Sequence, residues 1–215
     1  MTTKADLFDQ VDQYAHRVID VALKESFLTD AQNRIAKDLR ALEMRLNTLI
    51  NDTRRPDPST GAYTLPDDFI EARYLYSRGN PYYPIQAASG QGFIDAIGQS
   101  GAPRVYAIIG MELNIQPIPK EGSVFGLEYY ARPPDLVDDT DTHPLLGSAP
   151  DLYRYAMLRE YYTWARNAEM FSQADQKYLN LVNEINTADE RRRYGQAPAV
   201  ATDSPYGLHS SNGGM

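Results

Sequence analysis

The sequence predicts an α+β fold, in which a bundle of N-terminal helices and a long C-terminal helical hairpin packs with a small antiparallel β-sheet from the middle of the chain. Three observations predict it. Near both ends apolar residues recur at steps of three and four, which places them on one helix face. From 62 to 134 the period becomes that of strands, cut by clusters of glycine and proline. The connections there are short, which antiparallel pairing permits and parallel crossovers do not. At 215 residues the chain can bury a core as one folded unit over 1–195, with N-terminal helices at 1–42, a β-rich middle at 43–135 and the helical hairpin at 148–195. Residues 196–215 form an extended tail.

The first helix is predicted to begin at Thr3 to Asp6 and to carry Leu7, Val11, Tyr14, Val18 and Ala22 on one stripe. Thr29 with Gln32 reads as a second start, followed by Ile35, Leu39 and Leu42. Residues 43–50 fit both periods: Leu42, Leu46 and Leu49 extend a helix, while Leu42, Met44, Leu46, Thr48 and Ile50 alternate as a strand. NDTRRPDPSTG is a loop by composition, its two arginines facing solvent by default. Strands are predicted at Phe69 to Tyr76, Tyr82 to Gln86, Arg104 to Ile109, Glu112 to Gln116 and Val124 to Arg132, with one short helix around Phe93 to Ile97. Ser148 with Asp151, and Pro150 in the first turn, marks the next helix. Tyr153, Met157, Tyr161, Trp164, Ala168 and Phe171 form its core stripe. Tyr155, Leu158, Tyr162 and Ala165 form a second apolar row that one partner cannot cover, which suggests neighbouring copies. A break near Phe171 and a new start at Ser172 and Asp175 lead to the last helix, which ends in Arg191, Arg192, Arg193 and Gly195.

Composition narrows the chemistry. There is no cysteine, so neither a disulfide framework nor a thiolate nucleophile is available. No apolar run approaches the roughly 20 residues of a bilayer crossing, and MTTKADLFDQ lacks the apolar centre of a signal peptide, so a soluble, non-secreted protein is expected. A formal charge of -8 gives nucleic-acid phosphates no general attraction. The 16 tyrosines suit interfaces, since each joins a large apolar face to a hydrogen-bonding tip. ASGQGFIDAIG lacks the third glycine and the strand-to-helix setting of a dinucleotide fingerprint. Asp139, Asp141 and His143 read as a solvated acidic turn rather than metal ligands. Asp67, Asp68 and Glu71 could form an acid/base pair only across a cleft of suitable width. The sequence supports no catalytic, cofactor-binding or metal-binding residue. The tail QAPAVATDSPYGLHSSNGGM, with Val200, Tyr206 and Leu208 as its larger apolar residues, cannot offset its own ordering entropy and is read as disordered or ordered by a partner.

TLPDDFIEARYLYS, GAPRVYAIIGMELNIQPIPKEG, LEYYARPPDL, APDLYRYAMLREYY and INTADERRRYG, in this order, resemble the head-to-tail adaptor (connector) proteins of tailed bacteriophages. The likeness spans Thr64 to Gly195. It implies a structural virion protein rather than an enzyme: a ring, typically of twelve copies, docked below the portal protein at the capsid vertex. Such a ring presents a platform to the next tail or nozzle protein, and double-stranded DNA passes through its channel without sequence-specific binding. By the same resemblance the C-terminal segment reaches the portal, so Arg191, Arg192, Arg193, Tyr194, Val200, Tyr206 and Leu208 are the expected portal contacts. Arg54 and Arg55 on the loop, with Tyr155 and Tyr162 on the second aromatic row, are the expected subunit or tail contacts. The implied location is the virion neck, and the host cytoplasm during assembly, with no membrane and no cofactor. Rival readings are another neck or tail-tube completion protein, a small hydrolase using Asp67 to Glu71, and a carbohydrate-binding adhesin with a concave aromatic platform on its sheet.

Overall fold

The computed structural model describes residues 2–79 and 81–194, with the backbone alone at 190 and 192–194. It is a mixed α+β structure with six α-helices and a seven-stranded curled sheet among the described residues. Helix α1 (Lys4–Ala15) starts with a reciprocal cap in which the Asp6 N–H donates to Thr3 Oγ1 and the Thr3 N–H donates to Asp6 Oδ2. It stops earlier than its apolar spacing predicts. His16 takes a left-handed conformation, and Asp12 accepts the Ile19 N–H and pairs with Lys24, folding the chain back. Val18 is therefore exposed, and Ala22 belongs to α2 (Val21–Asp38), which is capped by Asp20. The Thr29 and Gln32 signal lies inside α2, where Thr29 Oγ1 donates to the Glu25 carbonyl one turn back.

Strands β1 (Arg45–Ile50), β2 (Ala62–Thr64), β3 (Phe69–Ser77), β4 (Tyr83–Ala87), β5 (Val105–Ile109), β6 (Glu112–Gln116) and β7 (Phe125–Ala131) run in the spatial order β1-β7-β3-β4-β5-β6-β2. The ambiguous stretch resolves as strand β1 after a single 3-10 turn at Leu42–Met44, because β7 pairs with it along its whole length. Pairing is antiparallel except between β4 and β5. That pair is parallel, a departure from the all-antiparallel expectation, and the crossover runs through the short helix α3 (Gln91–Ile94). The sheet curls until residues from all seven strands share one core, and Tyr63 on β2 meets Phe125 on β7 edge to face at 5.9 Å. Gly61 lets the chain enter β2 close against β6: a Cβ there would lie 2.1 Å from the Ile115 carbonyl oxygen, so only glycine fits.

The C-terminal helices are α4 (Pro144–Ser148), α5 (Pro150–Trp164) and α6 (Ala168–Tyr194). Ser148 does not cap α5. His143 instead caps α4, its Nδ1 accepting the Leu146 N–H at 3.2 Å, and α5 follows from Ala149 with no side-chain cap. The break falls at 165–167, ahead of Phe171, with Arg166 in the left-handed region and Asn167 Oδ1 accepting the Met170 N–H. Ser172 and Asp175 thus lie within α6, where Asp175 pairs with Arg159 of α5 at 2.9 Å.

Most of the two apolar rows of α5 finds cover inside the chain, with Tyr155 half-buried and Ala165 exposed. Tyr153, Met157 and Tyr161 of the first row are buried, and so are Leu158 and Tyr162 of the second, because α1, α2 and α6 all pack against α5. The predicted surplus was an undercount of partners: α1 and α2 are far away in sequence and cannot be seen in the local period. Trp164, assigned to the core stripe, is 51% exposed: it ends the helix, with Phe27 and Tyr161 against its ring. No helix among the described residues is long and apolar enough to cross a membrane.

Candidate interaction surfaces

The end of α6 is tied to the sheet by one buried carboxylate. Asp189 accepts the Tyr130 hydroxyl at 2.8 Å and pairs with Arg45, the first residue of β1. The guanidiniums of Arg40, Arg45 and Arg73 gather around the Tyr130 ring at 5.7 to 6.0 Å from its centre. This places the expected portal contacts: Arg191 is exposed two residues beyond the tie, and Arg192, Arg193 and Tyr194 continue the helical backbone. Val200, Tyr206 and Leu208 lie outside the described residues.

The loop 51–61 joins β1 to β2, the two edge strands of the sheet. Of its two arginines, Arg54 is half-buried at the end of a 3-10 turn and Arg55 is only 7% exposed, contrary to the expectation that both face solvent. Arg55 is the peg on which the loop is wound. Its Nε and Nη2 donate to the Thr60 carbonyl at 2.9 and 2.7 Å, Nη2 also donates to the Pro58 carbonyl at 2.6 Å, and Nη1 donates to that of Pro119 at 3.2 Å. The guanidinium lies over the Tyr63 ring, 5.5 Å from its centre. Asp52 Oδ2 accepts the Gly122 N–H at 2.6 Å, fastening the loop to the turn before β7. The result is a held corner with Pro56, Asp57 and Pro58 exposed at its tip.

Tyr155 and Tyr162 sit elsewhere, on the side of α5 that faces α1 and α6. Tyr162 is buried, its hydroxyl donating to the Tyr14 carbonyl at 3.4 Å. Tyr155 is half-buried against Tyr14, Arg154 and Lys177, beside a cavity of about 160 Å³. The four expected subunit or tail contacts therefore form two separate places, not one surface.

A further surface lies on the outer face of β3 and β4. Tyr74 and Tyr82 are 59% and 63% exposed, and with Tyr76 they line a groove of about 660 Å³ together with Arg73 and Glu128. Tyr76 and Tyr82 stack with ring centres 6.4 Å apart. Tyr76 lies flat because residue 126 beneath it is glycine; a Cβ there would fall 2.2 Å from the ring. The alternation of Tyr74 and Tyr76 in YLYSRGNPYY marks one face of a strand, but it does not say which face is wet. This groove has the aromatic, concave character that the adhesin reading requires.

Two of the three carboxylates of the hydrolase reading have separate partners. Asp68 accepts the Tyr129 hydroxyl at 3.0 Å, and burial together with that carboxylate pushes the Tyr129 hydroxyl up to about 12. Glu71 pairs with Arg40 at 2.9 Å, and Asp67 is exposed at the rim of an open cleft that also holds Arg34, Lys37 and Arg132. In the acidic turn, Asp141 accepts the N–H groups of Val137 and Asp138, which hold its carboxyl below the usual range, while the Asp139 and Asp141 carbonyls receive the first N–H groups of α1. No group of three metal-type side chains is found among the described residues.

Comparison with known proteins gives one family. The family model described as SU10 adaptor protein matches residues 2–202, nearly the whole chain and every element described above. No curated protein matches this chain. A match of that extent, over helices, curled sheet and the start of the tail alike, shows that the chain belongs to the SU10 adaptor protein family, a family of phage adaptor proteins.

Proposed function

We propose that the protein is a structural, non-enzymatic component of a tailed-phage virion that assembles as a ring at the head-to-tail junction. The ring, of twelve copies by resemblance to head-to-tail adaptors, docks below the portal, receives the tail or nozzle protein on its other side and encircles the DNA channel. The observation that carries this reading is the family match over residues 2–202. The charge of -8 supports the channel role, since an acidic wall repels the phosphate backbone and lets a duplex slide past. The portal contact is assigned to Arg191–Tyr194 and the segment that follows, including Val200, Tyr206 and Leu208. The tie at Asp189 supports this assignment, because it gives that segment a fixed starting point on the body. Assembly takes place in the host cytoplasm, before the neck is complete.

The test is deletion of 196–215. The purified variant is expected to unfold at the same urea concentration as the full chain, and particles made with it are expected to lack the adaptor below the portal. Incorporation at the wild-type level would remove the portal role of the segment. A count of copies in a cryo-EM map of the neck tests the ring itself.

A further inference from the structure

A ring of identical chains needs two different patches on each copy, one that fits into the other on the next copy. The fold supplies a matched pair. The loop tip at Pro56–Pro58 spans the gap between edge strands β1 and β2, whereas the tyrosine groove lies on β3 and β4 at the middle of the strand order, across the curl from that gap. The two patches also meet the same end of the sheet, since Ile50, just before the loop, and Ser77, just after Tyr76 of the groove, both pair opposite Phe125. Side-by-side copies related by rotation would bring loop and groove level with each other.

Their chemistry is complementary. Proline rings pack flat on exposed tyrosine faces, the pairing used in aromatic-lined grooves that bind proline-rich segments. Asp57, exposed at the tip, holds the Ser59 N–H and hydroxyl with one oxygen, Oδ1, at 2.8 and 2.7 Å, so the other oxygen of its carboxylate can accept from a further donor. Arg78 supplies that cation at the mouth of the groove, exposed and beside the Tyr82 hydroxyl, while Arg73 within the groove is already paired with Glu128. Arg55 fixes the loop before any contact is made, which lowers the ordering cost of binding.

We propose that the Pro56–Asp57–Pro58 corner of one copy seats in the Tyr74, Tyr76 and Tyr82 groove of the next copy, a head-to-tail contact repeated around the ring. This rests on the ring reading above. The experiment places the photo-cross-linker p-benzoylphenylalanine at Tyr82 in the full chain. Isotope-labelled and unlabelled copies are mixed, and adducts are mapped in particle necks whose adaptor copies are also counted. The expected adducts join position 82 to the 51–61 peptide of a different copy. Arg78→Glu, at an exposed site, should lower their yield about tenfold, and adding Asp57→Arg should restore it. Adducts to 196–215 or to another protein, or none at all in necks that hold a counted ring, overturn the pairing and leave the ring reading standing. Necks without a ring overturn both.

Discussion

Replacing Arg55 with methionine isolates the guanidinium's role, because methionine keeps an apolar stem over Tyr63 and removes every donor. Four hydrogen bonds to three carbonyls are lost. Pro58 and Thr60 are exposed, so water replaces the guanidinium there and each carbonyl costs about 0.5–1 kcal/mol. Pro119 is buried, and its carbonyl, left without a donor, costs about 1–3 kcal/mol. The guanidinium's own desolvation is recovered, which offsets part of the sum, while Asp52 Oδ1, buried without a hydrogen-bond partner 3.8 Å from Arg55, loses the cation beside it. The net expectation is a loss of about 2–3 kcal/mol, or about 5–10 °C in Tm for a chain of this size. Urea unfolding of the full chain measures it: the midpoint should fall with an unchanged slope, and protease should cut faster within 51–61. A loss below about 0.5 kcal/mol, the level of an ordinary surface substitution, would refute the view that this side chain holds the loop.

Two other predictions concern single side chains. Trp164→Ala would cost about 3–5 kcal/mol at a buried site, but the observed exposure reduces the expected loss to about 1–2 kcal/mol; a urea midpoint shift matching the larger range would place the indole in the core. Burial pushes the His143 imidazole below its ordinary value of 6.5, and its Nδ1 caps α4 only while unprotonated. The unfolded chain therefore binds the proton first, so this contribution to stability is fully present above about pH 6.5 and is lost as pH falls through the lowered value. His143→Asn should flatten that part of the stability profile between pH 7.5 and 5.5, and an unchanged slope would assign it to other groups.

The strands were more legible in the sequence than the helix ends. Glu112–Gln116 begins and ends where its alternation does, because Gly110 and Pro117 bracket it. Helix starts are marked by short polar signals that recur by chance. Thr29 and Ser148 offer hydroxyls at the right spacing, while the working caps are Asp20 and His143, selected by where the chain reverses. The second row of α5 escaped for a related reason, since its additional cover, α1, comes from the far end of the chain and is set by tertiary packing rather than by local period. Arg55 could not have been found at all from sequence. Its partners are backbone carbonyls, which every residue type carries, so its burial leaves no pattern. The tyrosine groove was half-visible: alternation placed Tyr74 and Tyr76 together, but the direction of curl decides which face is wet.

The shared carboxylate at Asp189 also sets how the molecule bears force. Any pull on the polypeptide beyond residue 194 enters the body one helical turn from that rivet, and Arg45 and Tyr130 pass the tension on to two adjacent strands. The load is then spread over the whole β1–β7 ladder in place of unwinding α6 from its end, so a tether leaving there would be braced as a strap is by a buckle.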